Sequence, residues 1–385
     1  MKNTKTNNVL NTIARLVVGC VFLFSSFVKG VDPMGTSYKI ADYMTAWSIG
    51  NFTFEWALPM ADFLSMFLIT LEFTIGVALV LNCFKRITAW VTAIMMLFFT
   101  VTTLIDATTN LVSDCGCFGD AIKLTNWQTF WKNVVLDVFV VWILLTSNLN
   151  RKRRTERDVL IVLFSIAIMI IFGIYNIKNE PCIDFRPWKV GNQMIDRPAE
   201  GEEALEVKSY LKYRNKASGE IKEYESAEFM DVYNANPNFM EEWEFVDSKV
   251  VDPYEIKADG FAMLDTEGED HAKEWINSPD WLIIMTVYEL DKINEDGVQA
   301  MRFMHDFANE NGFQLILLTS SLAEDVQTFL YENKMDDVNF YFADGTAIKT
   351  MLRSNPGFML MKDAKVIDKW PYRHVFDIND IDFEN

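Results

Sequence analysis

The sequence predicts an α-helical membrane bundle followed by an α/β soluble domain with a β-rich N-terminal extension. Three observations predict it. Five apolar stretches lie near 9–28, 60–82, 87–106, 130–148 and 158–175, each close to the ~20 residues needed to cross a bilayer core. Charge divides sharply along the chain. Up to Cys182 there are 15 Lys+Arg against 12 Asp+Glu, a net of +3; from Ile183 onward there are 20 against 42, a net of −22, which together make the overall −19. From Phe261 the pattern becomes strands alternating with helices, as in α/β architectures.

The first apolar stretch contains Arg15 and has no small-residue cleavage site, so it reads as an uncleaved anchor. It ends at Lys29-Gly30-Val31-Asp32-Pro33, where glycine and proline stop a helix. The loop that follows, 31–59, carries Tyr38, Tyr43, Trp47 and Trp56, residues suited to the headgroup level. Lys2 and Lys5 precede the first stretch, Lys85-Arg86 join the second to the third, and Arg151, Lys152, Arg153, Arg154 and Arg157 join the fourth to the fifth. If all five cross, these basic clusters share one side, the cytoplasm. The expectation is a protein of the bacterial inner (cytoplasmic) membrane with a cytoplasmic N-terminus and a periplasmic C-terminal domain. The acidic half argues against nucleic acid, whose phosphates need the opposite sign, and against lying on anionic lipid.

The organisation read from this is a four-helix membrane domain over 1–150, a fifth transmembrane helix over 151–178, a linker and β-rich extension over 179–258, and an α/β domain over 259–385. In the extension, Glu206–Arg214 and Glu220–Tyr224 read as strands around a turn at Ala217-Ser218-Gly219. In the α/β domain, strands are expected at Leu282–Val287, Gln314–Thr319, Val338–Phe342, Gly357–Met361 and Lys365–Trp370. Helices are expected at Gly297–Asn309 and Leu322–Asn333. This order suits a thioredoxin-like fold, with Asn355-Pro356 where such folds place a cis-proline. A redox-active member would carry Cys-x-x-Cys after the first of these strands. Here the chain reads Tyr288-Glu289-Leu290-Asp291, and no cysteine follows Cys182.

The chemistry on offer therefore lies in the membrane half. Asp114-Cys115-Gly116-Cys117-Phe118-Gly119-Asp120 places two thiols one residue apart in a polar loop between two apolar stretches. Cysteines at i and i+2 can close a small ring, and Gly116 permits the backbone it needs. Strained bridges of this kind are readily reduced, which suits disulfide exchange. A permanent clasp and two free thiols are the alternatives. Cys182, beyond the fifth stretch, is a candidate relay or a lone linker thiol, while Cys20 and Cys83 read as packing residues. No metal site is expected, because His271, His305 and His374 are scattered. Arg15 and Glu72 lie within the first two stretches, about 9 Å and 15 Å from the cytoplasmic ends at ~1.5 Å per residue, and are expected to form an intramembrane ion pair. Lys29, at the outer face, is the candidate cationic partner for a bound membrane quinone.

The first four stretches resemble the MauE/DoxX-like integral membrane family. The matching residues are Arg15-Leu16-Val17-Val18-Gly19 with Phe22, Ser25 and Lys29; Asp32-Pro33-Met34-Gly35; Glu72 with Gly76 and Leu79; and the Cys115/Cys117 loop followed by Trp127-Gln128-Thr129-Phe130 and Lys132-Asn133. The resemblance covers about 150 residues and implies a four-helix membrane bundle. Some members are linked to maturation of methylamine dehydrogenase, where disulfides form in an exported subunit. It implies Cys115, Cys117, Lys29, Arg15 and Glu72 as functional residues. The leading expectation is thus a membrane thiol-disulfide oxidoreductase or maturation factor acting on exported thiol-containing client proteins. Its rival is a non-catalytic envelope scaffold with a structural disulfide.

Overall fold

The computed structural model describes residues 2–46, 48–49, 52–110, 112, 116–146, 155–196, 207–236, 238–258, 260–381 and 383. Trp47, Asp114, Cys115 and the basic run 151–154 lie outside the described residues. The chain forms two compact units, Met1–Arg186 and Pro187–Asn385.

The first unit is helical: α1 Lys2–Val31, α2 Pro33–Ala46, α3 Ala61–Leu81, α4 Lys85–Thr109, α5 Asn126–Thr146 and α6 Thr155–Lys178. Among the described residues, five helical segments are long and apolar enough to cross a membrane: Asn8–Val31, Glu55–Leu81, Lys85–Thr109, Asn126–Thr146 and Glu156–Lys178. They match the five apolar stretches of the sequence. The outward faces of α3 to α6 expose Phe63, Leu97, Val138, Phe164 and Ile171. That amount of uncovered apolar surface belongs in lipid rather than water.

The stretch 31–59, read from the sequence as a loop, is more structured than expected. Pro33 opens α2, since a proline at the first helical position loses no hydrogen bond. A short hairpin of β1 Ser48–Ile49 and β2 Phe52–Thr53 and a 3₁₀ turn over Glu55–Met60 lead into α3.

Close approach of α1 and α3 is set by two glycines. A Cβ on Gly19 would lie 3.1 Å from the Gly76 carbonyl oxygen, and a Cβ on Gly76 would lie 3.1 Å from that of Gly19. The two backbones therefore touch, as small residues permit in membrane helices. Asn176 on α6 donates 3.1 Å to the Gly30 carbonyl of α1, and Thr100 on α4 donates 2.7 Å to Asp137 of α5. Beyond α6, Arg186 is almost fully buried and donates to Asp184 at 2.7 and 2.9 Å and to Glu180 at 2.7 Å. Burial alone would lower its pKa; the carboxylates of Glu180 and Asp184 outweigh that and hold it above the usual arginine value.

The second unit contains two sheets. A three-stranded antiparallel sheet has the order β4-β3-β5, from β3 Lys208–Asn215, β4 Ile221–Glu225 and β5 Trp243–Val251. Two helices, α7 Ser226–Ala235 and α8 Phe239–Glu242, supply Phe229 and Phe239, which pack with Tyr213 and Trp243 in an aromatic core. The sequence marked the β3–β4 hairpin but missed β5. Only Trp243 of that strand is buried, so it has no inside–outside alternation to read.

The other sheet is mixed, with the order β10-β9-β6-β7-β8. Strands β6 Leu282–Val287, β7 Gln314–Thr319 and β8 Asn339–Phe342 are parallel, whereas β9 Gly357–Lys362 runs antiparallel to β6 and β10 Lys365–Pro371 antiparallel to β9. β6 is buried on both faces, as its run, apolar but for Thr286, requires. Ile284 joins a core with Trp188, Met263 and residues of α9 Ala272–Ile276 and α12 Gly345–Met351. Ile283 and Met285 join the opposite core with Met301 and Met304 of α10 Glu295–Asn311 and Val326 of α11 Ala323–Glu332. Helices thus cover both faces. α10 starts where Asn294 accepts from the Gly297 amide at 2.8 Å and stops at Gly312, whose φ of 69° suits a residue without Cβ. The Asn355–Pro356 bond is cis.

Residues 187–196 also belong to this unit. Trp188 and Met194 are wholly buried, and the amides of Gly191 and Met194 donate to the carbonyls of Val366 and Ala364 at 2.8 and 2.7 Å.

Asp368 on β10 illustrates a charge the fold resists. Burial raises its pKa, and Asp377 adds to the effect, against a 2.8 Å bond from the Lys369 amide. A carboxyl with a raised folded pKa lowers stability above that pKa, and the penalty vanishes once both states are protonated, below about pH 4. Asp368→Asn is therefore expected to stabilise the full-length protein in detergent at pH 7, with the gain shrinking toward pH 3. Urea unfolding at several pH values measures it.

Candidate functional site

The site is built at the C-terminal end of α1. Lys29 Nζ lies 2.6 Å from Glu72 Oε1 of α3, and both side chains are buried. Two further contacts compensate their desolvation, without which a buried pair is a poor bargain. Lys29 Nζ sits 5.4 Å from the Phe99 ring centroid, within cation–π range. The Ser25 hydroxyl lies 3.1 Å from Glu72 Oε2 and 2.7 Å from the Cys117 carbonyl oxygen. One hydroxyl proton faces two acceptors, so the bond is shared, and Ser25 couples the charge pair to the cysteine loop.

The expected Arg15–Glu72 pair does not form. Arg15 donates instead to the Leu79 carbonyl at 2.9 Å, to Asn11 at 3.1 Å and to Thr12 at 3.3 Å. The reason is register. The Gly19–Gly76 contact sets Arg15 beside Leu79, seven residues and ~10 Å along α3 from Glu72. Depth counted from helix ends missed this, because it assumes that the two helices start level.

Gly116 and Gly119 bracket Cys117 with φ of 59° and 49°, the left-handed region that glycine adopts freely. Gly119 is also hemmed in, since a Cβ there would meet Val28 of α1 at 3.2 Å. Phe118 packs at a tilt against Phe24, 5.3 Å between centroids, and Lys132 Nζ lies 4.4 Å from the Phe118 ring centroid. Two clefts meet at this point. One, of ≈220 Å³, is lined by Gly116, Cys117, Phe118, Lys123 and Thr129. The other, of ≈330 Å³, enters the bundle between Ser25, Lys29, Glu72, Cys117, Lys132 and Asn133, with Met96 and Phe99 as its apolar wall. Cys117 and Phe118 line both.

Cys115, the other half of the expected thiol pair, lies outside the described residues. Cys182 is an exposed free thiol whose amide donates to Asn176 Oδ1 at 3.1 Å. Because Asn176 also bonds the Gly30 carbonyl, Cys182 is tied to the same end of the bundle as Lys29. Cys20 and Cys83 are free as well, Cys83 buried and Cys20 exposed on the surface of α1. The sequence reading quoted Lys132 with Asn133 among the residues of the resemblance but gave it no role. A further signal was its position, a cation at the start of an apolar helix beside the cysteine loop. Lys29 is matched by Glu72, whereas among the described residues no carboxylate lies within 4 Å of Lys132.

Residues 7–146 match the family described as methylamine utilisation protein MauE. The N-terminal region is MauE-like. The match takes in α1 to α5, and with them Ser25, Lys29, Glu72, Cys117 and Lys132; it leaves out α6 and the whole second unit. No curated protein and no solved structure matches the chain. The protein is thus an integral membrane protein with a MauE-like region of helices and a sheet-containing C-terminal region.

Proposed function

We propose that the MauE-like region carries out extracytoplasmic thiol-disulfide exchange through Cys115 and Cys117, in the maturation of exported proteins. The observation that supports this most is the place of Cys117 at the junction of two clefts. One is lined by the cysteine loop with Lys123, Leu124 and Thr129; the other leads into the bundle. In the exchange, a client thiolate attacks a Cys115–Cys117 disulfide, a mixed disulfide forms, and a second client thiolate resolves it. The client gains a disulfide and the loop is left with two thiols. Two electrons and two protons must then leave the loop to an acceptor.

A membrane quinone is the acceptor class we assign to this step, at the inner cleft that Lys132 and Asn133 help to line. Lys132 and Asn133 are the residues there that would orient a polar headgroup. Lys29, neutralised by Glu72, serves instead to hold the cleft together. In this reading Cys182, tied through Asn176 to the same end, is placed to pass a disulfide onward.

The C-terminal region reads as a thioredoxin-like module that docks clients without dithiol chemistry of its own. Supporting this are the order of the mixed sheet, helices on both faces and the cysteine-free segment after β6. Orientation follows the basic clusters, with the N-terminus cytoplasmic and the C-terminal region periplasmic.

The test is disulfide trapping in intact cells. Cys115→Ser, which leaves Cys117 without its partner, is expected to accumulate reducible adducts on non-reducing gels, and Cys115→Ser/Cys117→Ser none. Adducts that persist in the double variant once Cys182 is also replaced by Ser, or their absence from both, overturn the proposal. So does a reduction potential of the pair well below about −300 mV, the range of structural disulfides, which would favour a scaffold.

A further inference from the structure

Around the connection from β-bridge residue Leu264 to α9, the second unit gathers three groups that the thiol chemistry does not use. Asp265, Glu269 and His271 each offer a ligand atom, and these atoms lie within 4.8 Å of one another. We propose that they form a binding site for a divalent transition-metal ion of the zinc type.

The arrangement starts from the backbone. Leu264 and Asp270 form an antiparallel bridge, and between them Asp265 Oδ1 accepts from the amides of Glu267 and Glu269 at 2.8 and 2.9 Å. That fixes the carboxylate and turns Oδ2 toward His271 Nε2, 3.1 Å away. The His271 amide bonds the Met263 carbonyl at 2.8 Å, and its ring rests 5.5 Å from that of Tyr341, so the imidazole is held from both sides.

The imidazole's two nitrogens then have different tasks. Nδ1 lies 2.9 Å from Glu274 Oε2. A proton on Nδ1 donates to that carboxylate and leaves Nε2 with a lone pair aimed at Asp265 Oδ2, itself an acceptor. Two acceptors 3.1 Å apart need something positive between them: a second ring proton or a metal ion. Ligands ~2.1 Å from a shared metal at 90–110° stand roughly 3.0–3.4 Å apart, which brackets the observed separation. Glu274 would act as the outer carboxylate that orients a metal-bound histidine. A nitrogen ligand with carboxylates suits zinc-like ions better than calcium or magnesium, which prefer oxygen alone. Asp265 and His271 are each about a quarter exposed, at 27%, which leaves room for water to complete the coordination. The sequence argument against metal counted scattered histidines; here one suffices, because its partners lie within seven residues of chain.

The test uses full-length protein in detergent, stripped with chelator and titrated with Co²⁺, whose visible absorption reports coordination. One saturable equivalent, displaced by Zn²⁺, is expected. Glu274→Gln should weaken it about 10-fold, and His271→Ala by more than the roughly 10–100-fold typical of an outer partner. Circular dichroism checks that both variants fold. Absence of saturable Co²⁺ binding, unchanged affinity in His271→Ala, or displacement by Ca²⁺ as effective as by Zn²⁺ overturns the site, the last two by marking general attraction to an acidic surface.

Discussion

Lys29→Met and Glu72→Gln are each expected to destabilise the helical unit by about 3–5 kcal/mol, the loss seen when one partner of a buried pair is removed. The double variant should lose much less. Each single change takes the opposite charge from a group buried where water compensates it poorly. Glu72→Gln removes the carboxylate from an ammonium 7% exposed beside Phe99, and Lys29→Met leaves a carboxylate 1% exposed whose remaining partner among the described residues is the Ser25 hydroxyl. Removing both charges removes both penalties. Thermal unfolding of the detergent-solubilised protein, analysed as a double-mutant cycle, gives the coupling. Arg15→Met provides the control, since Arg15 bonds Leu79, Asn11 and Thr12 and should show no coupling to Glu72. A Lys29–Glu72 coupling under about 0.5 kcal/mol would count against the pair.

The second large effect is expected at Trp188. Its side chain is 0% exposed and packs edge-on against Phe261, with ring centroids 4.8 Å apart. Trp188→Ala should lose about 3–5 kcal/mol, because a cavity of that size cannot collapse fully. Trp188→Phe should lose far less. The indole Nε1–H is buried and finds no acceptor among the described residues, so removing it relieves a desolvation penalty while most of the apolar contact stays. Limited proteolysis of the full-length protein measures both, through the rate at which 187–196 becomes cleavable. Equal rates in the two variants would mean that the segment is held by its backbone bonds to β10 and the turn before it, and not by the indole.

Lys29, Glu72 and Trp188 mark where the sequence was readable and where it was not. The five apolar helices and the five strands of the mixed sheet follow from the length and hydropathy of each segment, a signal that each carries within itself. Trp188 lies in a stretch with two prolines nearby and no periodicity, which reads as linker; its burial is decided by residues far along the chain, from Phe261 to Val366. β5 was silent for the opposite reason, being strand with almost nothing buried. At the site, the cysteine loop announced itself, and Lys29 and Glu72 were each recognisable as costly charges. Their pairing was not, because it depends on how far two helices slide past one another. Likewise, the gathering of Asp265, Glu269 and His271 depends on a local bridge that composition does not record.

The glycine contact between α1 and α3 carries a consequence for how this membrane region tolerates change. Gly76 and Glu72 are four residues apart, about 40° from perfect alignment on a helix that turns ~100° per residue. The carboxylate therefore looks toward the same neighbour as the glycine, one turn nearer the membrane surface on the Cys117 side. The interval between the two residues thus acts as an address: it specifies at what depth the acid is delivered. Chains that keep both residue types but alter that interval would keep the bundle and misplace its charge.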